Sequence, residues 1–311
     1  MSETLRAAVV GVGYLGRFHA EKYQNISNVQ LVGVCDSHQE RAKEVANELN
    51  TTAYSDYKDL IGQVDLVTVA TTTSQHYEVS KFFLEQGVHV NVEKPMTRTS
   101  VEGKELCKIA EEKNLILQVG MVERFNPALI AAQEKFTQPL FIECHRLAPF
   151  NPRGSDVSVV LDLMIHDLDV ILSLVKSPPV NVSAIGTPVL TKTADIANAR
   201  IEFKSGAVAN VTASRVSTKA QRKFRCFQPS QYLSIDFSSG EVNLLTKTGE
   251  MIDDELPIDT EAWNLEKGDA LLAETKAFVN SVVNKTPPFV SGQDGLMALE
   301  LAEQIIAAIS K

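Results

Sequence analysis

Apolar residues along the chain fall into two textures. From Leu5 to about Met121 they come in short unbroken runs, LRAAVVGVG, NVQLVGVCD, VDLVTVAT, VHVNVEKP and LILQVGM, separated by amphipathic segments such as SHQERAKEVANELN and TSVEGKELCKIAEEKN. Runs that are apolar on both faces, alternating with helical periods, predict a parallel sheet covered on both sides by helices. Past residue 139 the pattern changes. ARIEFKSGAVANVTAS alternates at Ala199, Ile201 and Phe203 and turns at Ser205-Gly206, and YLSIDFSSGEVNLLT repeats the device at Ser239-Gly240. Alternation interrupted by tight glycine turns predicts antiparallel hairpins with one buried face. The closing segment SGQDGLMALELAEQIIAAIS reads as an amphipathic helix with Ser291 as a possible cap. The expected fold is α/β: a doubly wound parallel sheet over residues 1–121, then an α+β domain with a mostly antiparallel open sheet over 122–311.

Composition agrees with two cores. A chain of 311 residues exceeds what one core usually serves, and 44% apolar content supplies both. The formal net charge of −9 argues against a nucleic-acid binder, which needs a basic face. Cys35, Cys107, Cys144 and Cys226 show no C-x-x-C spacing. They are expected as reduced thiols of a cytoplasmic protein, and no metal site is suggested. The N-terminus MSETLRAAVVGVG is unlike a secretory signal, and no apolar stretch approaches the ~18 residues of a membrane span.

The first chemical motif is VVGVGYLGRFHA, where Gly11, Gly13 and Gly16 make G-x-G-x-x-G between a strand-like run and a helical pattern. In a Rossmann dinucleotide fold the first glycine permits the tight turn, the second lets the backbone approach a pyrophosphate, and the third lets the helix pack closely. The next run ends at Asp36, 20 residues past Gly16. There a carboxylate accepts from ribose hydroxyls and repels a 2′-phosphate, which favours NAD over NADP. Asp36 is equally placed to cap the following helix. Lys94 ends the run VHVNVEKP, at the carboxyl edge where open α/β sheets bind ligands. Thr71, Thr73 and His76 follow the preceding run and are expected at the same mouth, near the nicotinamide half; His76 is as well explained as a surface helix residue.

The second motif lies in DVSVVLDLMIHDLDVILSLV. On a helix, Ser158, Asp162, His166, Asp169 and Ser173 form one polar stripe on an otherwise apolar rod. Unpaired buried carboxylates and imidazoles are costly, so the stripe is expected either to face a ligand-filled cavity or to form an internal hydrogen-bond network. Asp162 and His166, one turn apart, suit proton transfer: the carboxylate orients a ring that titrates near neutrality. Asp167 lies off the stripe and receives no role.

GVGYLGRFHA, EKP with Lys94, and Asp162-x-x-x-His166, in this order over essentially the whole chain, resemble the Gfo/Idh/MocA oxidoreductases. The resemblance implies a Rossmann domain joined to an open mixed sheet, a nicotinamide cofactor, and hydride transfer at a secondary alcohol or ketone of a sugar. It implies Lys94 and His166 as the catalytic pair with Asp162 assisting, and cofactor contacts from Gly11, Gly13, Tyr14, Leu15, Gly16, Asp36, Thr71, Thr73, His76, Glu93 and Lys94. His166 is expected as acid/base and Lys94 as the ammonium that polarises the oxygen, roles that exchange within the family. Two positions depart from the family pattern: Thr71-Thr72 stands where Thr-Pro is common, and Met121 where an aromatic residue or histidine often follows the glycine.

The compact chain and the junction GMVERFNPA resemble the branch acting on nucleotide sugars, UDP-N-acetylglucosamine 3-dehydrogenases among them. Arg17, Arg124, Arg146 and Arg153, with Asn126, are candidates to meet such a substrate and its phosphates. A free cyclic polyol or aldose is the alternative substrate, and a nucleotide-binding sensor without turnover the alternative class. A homodimer or homotetramer through the second domain is expected.

Overall fold

The computed structural model describes residues 4–151, 157–251 and 256–310. The chain forms two compact units, the first from Met1–Val122 with Asp269–Leu296 and the second from Glu123–Gly268 with Met297–Lys311.

In the first unit, β1 (Leu5–Val10), β2 (Val29–Cys35), β3 (Thr52–Tyr54), β4 (Leu66–Val69), β5 (His89–Glu93) and β6 (Leu117–Gly120) form one sheet in the order β3-β2-β1-β4-β5-β6. Every pairing is parallel. β1 and β4 are buried over most or all of their length, which is why their sequences read as continuous apolar runs. Helices α1 (Tyr14–Gln24), α2 (Gln39–Glu48), α3 (Thr73–Glu85) and α4 (Ser100–Glu112) make the crossovers. α4 opens with a capping box between Thr99 and Glu102. The strand order reverses between β1 and β4, the switch point beyond whose carboxyl ends doubly wound sheets bind ligands.

In the second unit, α5 (Pro127–Ala132) leads into β7 (Phe141–Leu147), and α6 (Ile165–Val175) follows. β8 (Pro179–Thr187), β9 (Ile196–Phe203), β10 (Val208–Ser214), β11 (Gln221–Gln228), β12 (Gln231–Asp236), β13 (Glu241–Lys247) and β14 (Ile258–Asn264) complete an eight-stranded sheet ordered β14-β13-β12-β11-β7-β10-β9-β8. Only β7 and β10 pair in parallel. The turns expected at Gly206 and Gly240 hold those glycines at φ 89° and 81°, a region open to glycine without penalty. Met164, just before α6, and Leu168 and Ile171 of α6 join Ile142, Cys144, Ala199, Phe224 and Ile235 of the sheet in one core.

Two further helices close the chain, α7 (Ala270–Asn284) and α8 (Gly292–Ile309). Ser291 caps α8, its hydroxyl accepting the Asp294 N–H at 3.2 Å. The division 1–121 and 122–311 makes no provision for the return of Asp269–Leu296 to the first unit. The reason lies in α7, whose Phe278, Val279 and Val282 pack with Val9, Ala20 and Tyr23 in the core of the parallel sheet. Amphipathic periodicity reports that such a face exists, not which core receives it.

Candidate active site

The loop after β1 is shaped by its glycines. Gly11 has φ +87°, and a Cβ there would stand 2.6 Å from the Thr71 amide nitrogen; a Cβ on Gly16 would stand 1.7 Å from the Gly11 carbonyl oxygen. Both positions therefore exclude any side chain. Gly13, at the N-cap of α1, meets nothing within 4 Å, which leaves the loop open on that side. Tyr14 and Leu15 are 63% and 39% exposed. The first turn of α1 thus presents unscreened backbone N–H groups and the positive end of the helix dipole, the arrangement that receives a pyrophosphate.

Asp36 ends β2, and its Oδ2 accepts the Val12 N–H at 3.0 Å while Oδ1 accepts the His38 N–H at 2.9 Å. The N-cap of α2 is His38, whose Nδ1 accepts the Arg41 N–H, so Asp36 is not the cap. It ties the glycine loop to the end of β2, and each carboxylate oxygen keeps a second lone pair for a ribose hydroxyl. Arg41 stands 3.6 Å from Asp36 Oδ2. Loop, helix terminus and carboxylate together fit an NAD molecule.

His76 is buried, with Nδ1 2.8 Å from the Pro95 carbonyl and Nε2 3.1 Å from the Thr71 carbonyl. Burial pulls its pKa down, only partly offset by these two carbonyls. Both ring nitrogens are engaged, so His76 is neither a surface residue nor a ring that offers a nitrogen to a cofactor. It braces the Thr71 turn against the segment after Lys94. Thr71 and Thr73 are half-buried at the start of α3, and Lys94 is half-buried at the end of β5.

Beside Lys94 lies a cluster that the motifs did not anticipate. Glu93 Oε2 accepts the Lys94 backbone N–H at 3.1 Å, and Glu93 Oε1 lies 2.8 Å from Nε2 of His19 on α1. Glu274 of α7 completes the group, one polar atom of each residue lying within 4.8 Å of the others. Its Oε1 accepts from Asn91 Nδ2 at 3.3 Å, while Oε2 and His19 Nδ1 have no hydrogen-bond partner among the described residues. Gly120 makes the space: a Cβ there would lie 3.2 Å from Glu93 Oε1 and 3.4 Å from Glu274 Oε1. Burial opposes charge on all three groups, but the outcomes differ. The Glu93 hydrogen bond and the charges of Glu93 and Glu274 outweigh it at His19 and raise that ring. The His19 hydrogen bond and charge, with Lys94 and His76, outweigh it at Glu93 and lower that carboxyl. Burial, reinforced by the Glu93 charge, prevails at Glu274 and raises it. A faint signal existed in the sequence, since His19 and Glu274 both fall on the apolar faces of their helices, with Ala20 and Tyr23 and with Phe278 and Val282.

In the second unit, Asp162 stands in a π-helical turn, Val160–Met164, and His166 in the first turn of α6; both are half-buried. The π turn adds a residue to the helical repeat, and Ser158 precedes the helix, so the stripe is not the straight row that steps of four and three imply. Asp169 is buried and accepts from Arg124 at 3.2 Å, and Ser173 donates to the Val170 carbonyl. Asp167, without a role in the sequence, is buried and takes Arg146 in two hydrogen bonds of 2.8 and 2.9 Å, while Arg146 also donates to Glu123 at 3.2 Å. Arg146 is therefore an internal ion-pair partner and not a phosphate contact.

The other substrate candidates divide. Asn126 caps α5, its Oδ1 accepting the Ala128 N–H, and donates to the Phe237 carbonyl, so both ends of its amide are engaged within the fold. Arg17 pairs with Glu21 and Glu48 at the surface of the first unit. Arg153 lies outside the described residues.

Comparison with known proteins places these features. Residues 5–121 match the family described as "Oxidoreductase family, NAD-binding Rossmann fold", and residues 131–241 the GFO/IDH/MocA C-terminal domain. The chain is 40% identical to a UDP-N-acetylglucosamine 3-dehydrogenase of Acidithiobacillus ferrooxidans, over 98% of this chain and 97% of the relative. A solved structure of that enzyme superposes with a TM-score of 0.92 at 39% identity, covering 98% of this chain and 97% of that one. A scyllo-inositol 2-dehydrogenase (NAD(+)) of Bacillus subtilis is 31% identical over 70% of this chain and 69% of its own. With its doubly wound NAD-binding unit and its mixed-sheet partner, the chain belongs to the Gfo/Idh/MocA family of oxidoreductases.

Proposed function

We propose that the chain oxidises the 3-hydroxyl of a UDP-linked N-acetylhexosamine, with UDP-N-acetylglucosamine as substrate. The observation that carries this reading is the 40% identity, sustained over nearly the full length of both chains, with a relative of that activity. Bound NAD supplies the acceptor for the carbinol hydride. The chain's own residues manage the proton and the charge. His166 takes the hydroxyl proton, as an imidazole suits near neutral pH, and Asp162 orients that ring. Lys94 donates from its ammonium to the oxygen as the carbonyl forms. Gly11, Gly13 and Gly16 hold the pyrophosphate, and Asp36 the adenosine ribose, which favours NAD over NADP. Of the arginines considered for the substrate pyrophosphate, Arg17 and Arg146 are set aside, each being paired with two carboxylates of its own unit, while Arg124, which pairs with Asp169, and Arg153 are retained.

The likeness to an inositol dehydrogenase favours a second reading, oxidation of a free cyclic polyol. One set of NADH absorbance traces separates them. UDP-N-acetylglucosamine is expected to exceed free N-acetylglucosamine in kcat/KM by a few hundredfold, because each charge-assisted arginine contact is worth ~1.5–3 kcal/mol. Equal rates for the two, or activity confined to myo- or scyllo-inositol, defeats the nucleotide-sugar reading.

We further place the protein in the cytoplasm, consistent with four free cysteines, and expect a homodimer or homotetramer. On the sheet of the second unit, pairing aligns Phe141, Phe227, Tyr232 and Leu245 in one row, with Phe227 and Leu245 each 38% exposed. Such a row is suited to burial against a second copy. A monomer in light scattering at micromolar concentration removes this expectation. Among the described residues no helix is long and apolar enough to cross a membrane.

A further inference from the structure

We infer that His19, Glu93 and Glu274 act as one proton-sharing unit whose single net-charged carboxylate, Glu93, is a positioning residue for Lys94. The inference rests on the reading of Lys94 as the polarising ammonium.

The geometry carries it. Glu93 is adjacent to Lys94 in the chain and holds it by the backbone, Oε2 accepting the Lys94 N–H at 3.1 Å. Its other oxygen is fixed by His19 at 2.8 Å. A carboxylate gripped at both oxygens fixes the direction in which the chain leaves β5, and with it the root of the Lys94 side chain. Glu274, fully buried with one oxygen unpartnered, stands within the same cluster. Two neighbouring carboxylates in a buried site do not both ionise. The arrangement that closes is a protonated His19, an ionised Glu93 and a neutral Glu274, which is neutral overall.

The groups around the cluster agree. Glu93 faces His19 and Lys94, with the His76 ring nearby, so its negative charge is the one with positive or donating neighbours in His19 and the Lys94 N–H. Glu274 faces His19, Glu93 and the Asn91 amide, with the buried Tyr23 phenol nearby hydrogen-bonded to Thr68. His19 faces Glu93, Glu274 and Lys22, the last of which opposes its charge. Should Glu274 also ionise, a second negative charge would enter the cluster and compete with Glu93 for the His19 proton. Turnover should therefore decline on the alkaline side with the proton of Glu274 as its control.

The test uses the full-length protein. Glu93→Gln keeps an oxygen for the Lys94 N–H and removes the charge. It is expected to lower kcat by tenfold or more. Glu274→Gln fixes the neutral form and is expected to move the alkaline limb of the kcat profile upward by at least one pH unit. The readout independent of turnover is the His19 ring resonance in protein without cofactor. In the wild type the ring should remain protonated above the ordinary histidine range, and in Glu93→Gln it should titrate below it.

A kcat for Glu93→Gln within twofold of wild type overturns the inference, as does a His19 ring that titrates identically in both proteins or an alkaline limb unmoved by Glu274→Gln. If Lys94→Ala turns over normally, the reading of Lys94 fails and the inference with it. If Lys94→Ala is inactive and Glu93→Gln is normal, the inference alone fails. A Glu93→Gln protein that does not fold shifts the decision to Glu274→Gln and the wild-type ring titration.

Discussion

Each unit buries a cluster of charges, and the two clusters are built on different chemistry. In the second unit Arg146 lies between Asp167 and Glu123, with Arg222 3.3 Å from the same Glu123 oxygen. In the first, His19 lies between Glu93 and Glu274. A guanidinium is charged at every accessible pH, and here Asp167 and Glu123 raise its pKa further against the burial that opposes it. Its fork also fixes direction, with two near-parallel bonds to one carboxylate. An imidazolium has two N–H groups, of which His19 places Nε2 on Glu93, and a proton that it can lose. The first cluster is therefore built around a group that can lose its proton, the second around a cation that cannot. The titratable cluster is the one that touches the backbone of Lys94.

The largest effect is expected from breaking the fixed cluster. Arg146→Met leaves Asp167 buried without its hydrogen-bonded cation and Glu123 with Arg222 alone, and removing one partner of a buried pair costs about 3–5 kcal/mol. Urea unfolding should show this loss, and Asp167→Asn added to Arg146→Met should recover part of it. A loss below about 1 kcal/mol would mean that water reaches these carboxylates and that the contrast between the clusters is overdrawn.

Next in size are the residues given chemical roles. Lys94→Ala and His166→Asn should each reduce turnover by roughly 10²-fold or more, the usual scale for an acid/base or oxyanion partner. NAD affinity should change little in either. Stopped-flow cofactor binding beside steady-state rates checks both statements, and near-normal turnover in either variant reassigns the pair.

How much of this was legible in the sequence depends on whether a residue's signal was local. Gly11, Gly13 and Gly16 announce a loop because their spacing and the flanking runs lie within a dozen residues. Lys94 was placed at a sheet edge for the same reason, since VHVNV is a buried strand and a strand has a carboxyl end. The stripe from Ser158 to Ser173 rests on a helical repeat, and the π turn at Val160–Met164 breaks that repeat in a way no periodicity announces. His76 was ambiguous between cofactor contact and surface because its partners are the carbonyls of Pro95 and Thr71, one of them 19 residues away. Asn126 and Arg146 read as substrate contacts because an amide and a guanidinium look alike in sequence whether they face a ligand or a buried partner. For Glu274 the sequence shows a carboxylate on an apolar helix face but not its partner: it joins His19 across 255 positions, through a helix whose return to the first unit the sequence does not reveal.

Asp36 offers an intermediate case, a nearly buried carboxylate whose resident partners are the backbone N–H groups of Val12 and His38. Asp36→Ala should weaken NAD by about tenfold, the worth of ~1.4 kcal/mol, while NADP should gain relative to NAD as Arg41 is left without its acidic neighbour. Titrating both cofactors into the wild type and the variant checks this. Equal affinities in the wild type would remove the discrimination assigned to Asp36.

The smallest effect is the most selective for a cluster defined by protons. Burial and the charge of Glu93 push the Glu274 pKa up to about 8, against an unfolded value of ~4.3. Between these values the folded state keeps a proton that the unfolded chain has released, so stability must fall as pH rises through that window. His19, also raised, adds a fall in the same direction above its unfolded value of ~6.5, while Glu93, lowered, contributes stability that is lost only in acid. Glu274→Gln removes the first contribution alone and leaves a carboxamide that can still accept from Asn91. The difference in Tm between variant and wild type should therefore grow in the variant's favour from pH 5 to pH 8. Each pKa unit is worth about 1.4 kcal/mol, so even one unit corresponds to about 2–4 °C. In the second unit burial raises the Asp167 carboxyl as well, but Arg146, whose charge never titrates, opposes that rise, so the Tm offset of Asp167→Asn should vary less with pH than that of Glu274→Gln. Parallel melting curves for Glu274→Gln and wild type would show that Glu274 is ionised throughout, and that the first cluster, like the second, is held by fixed charge.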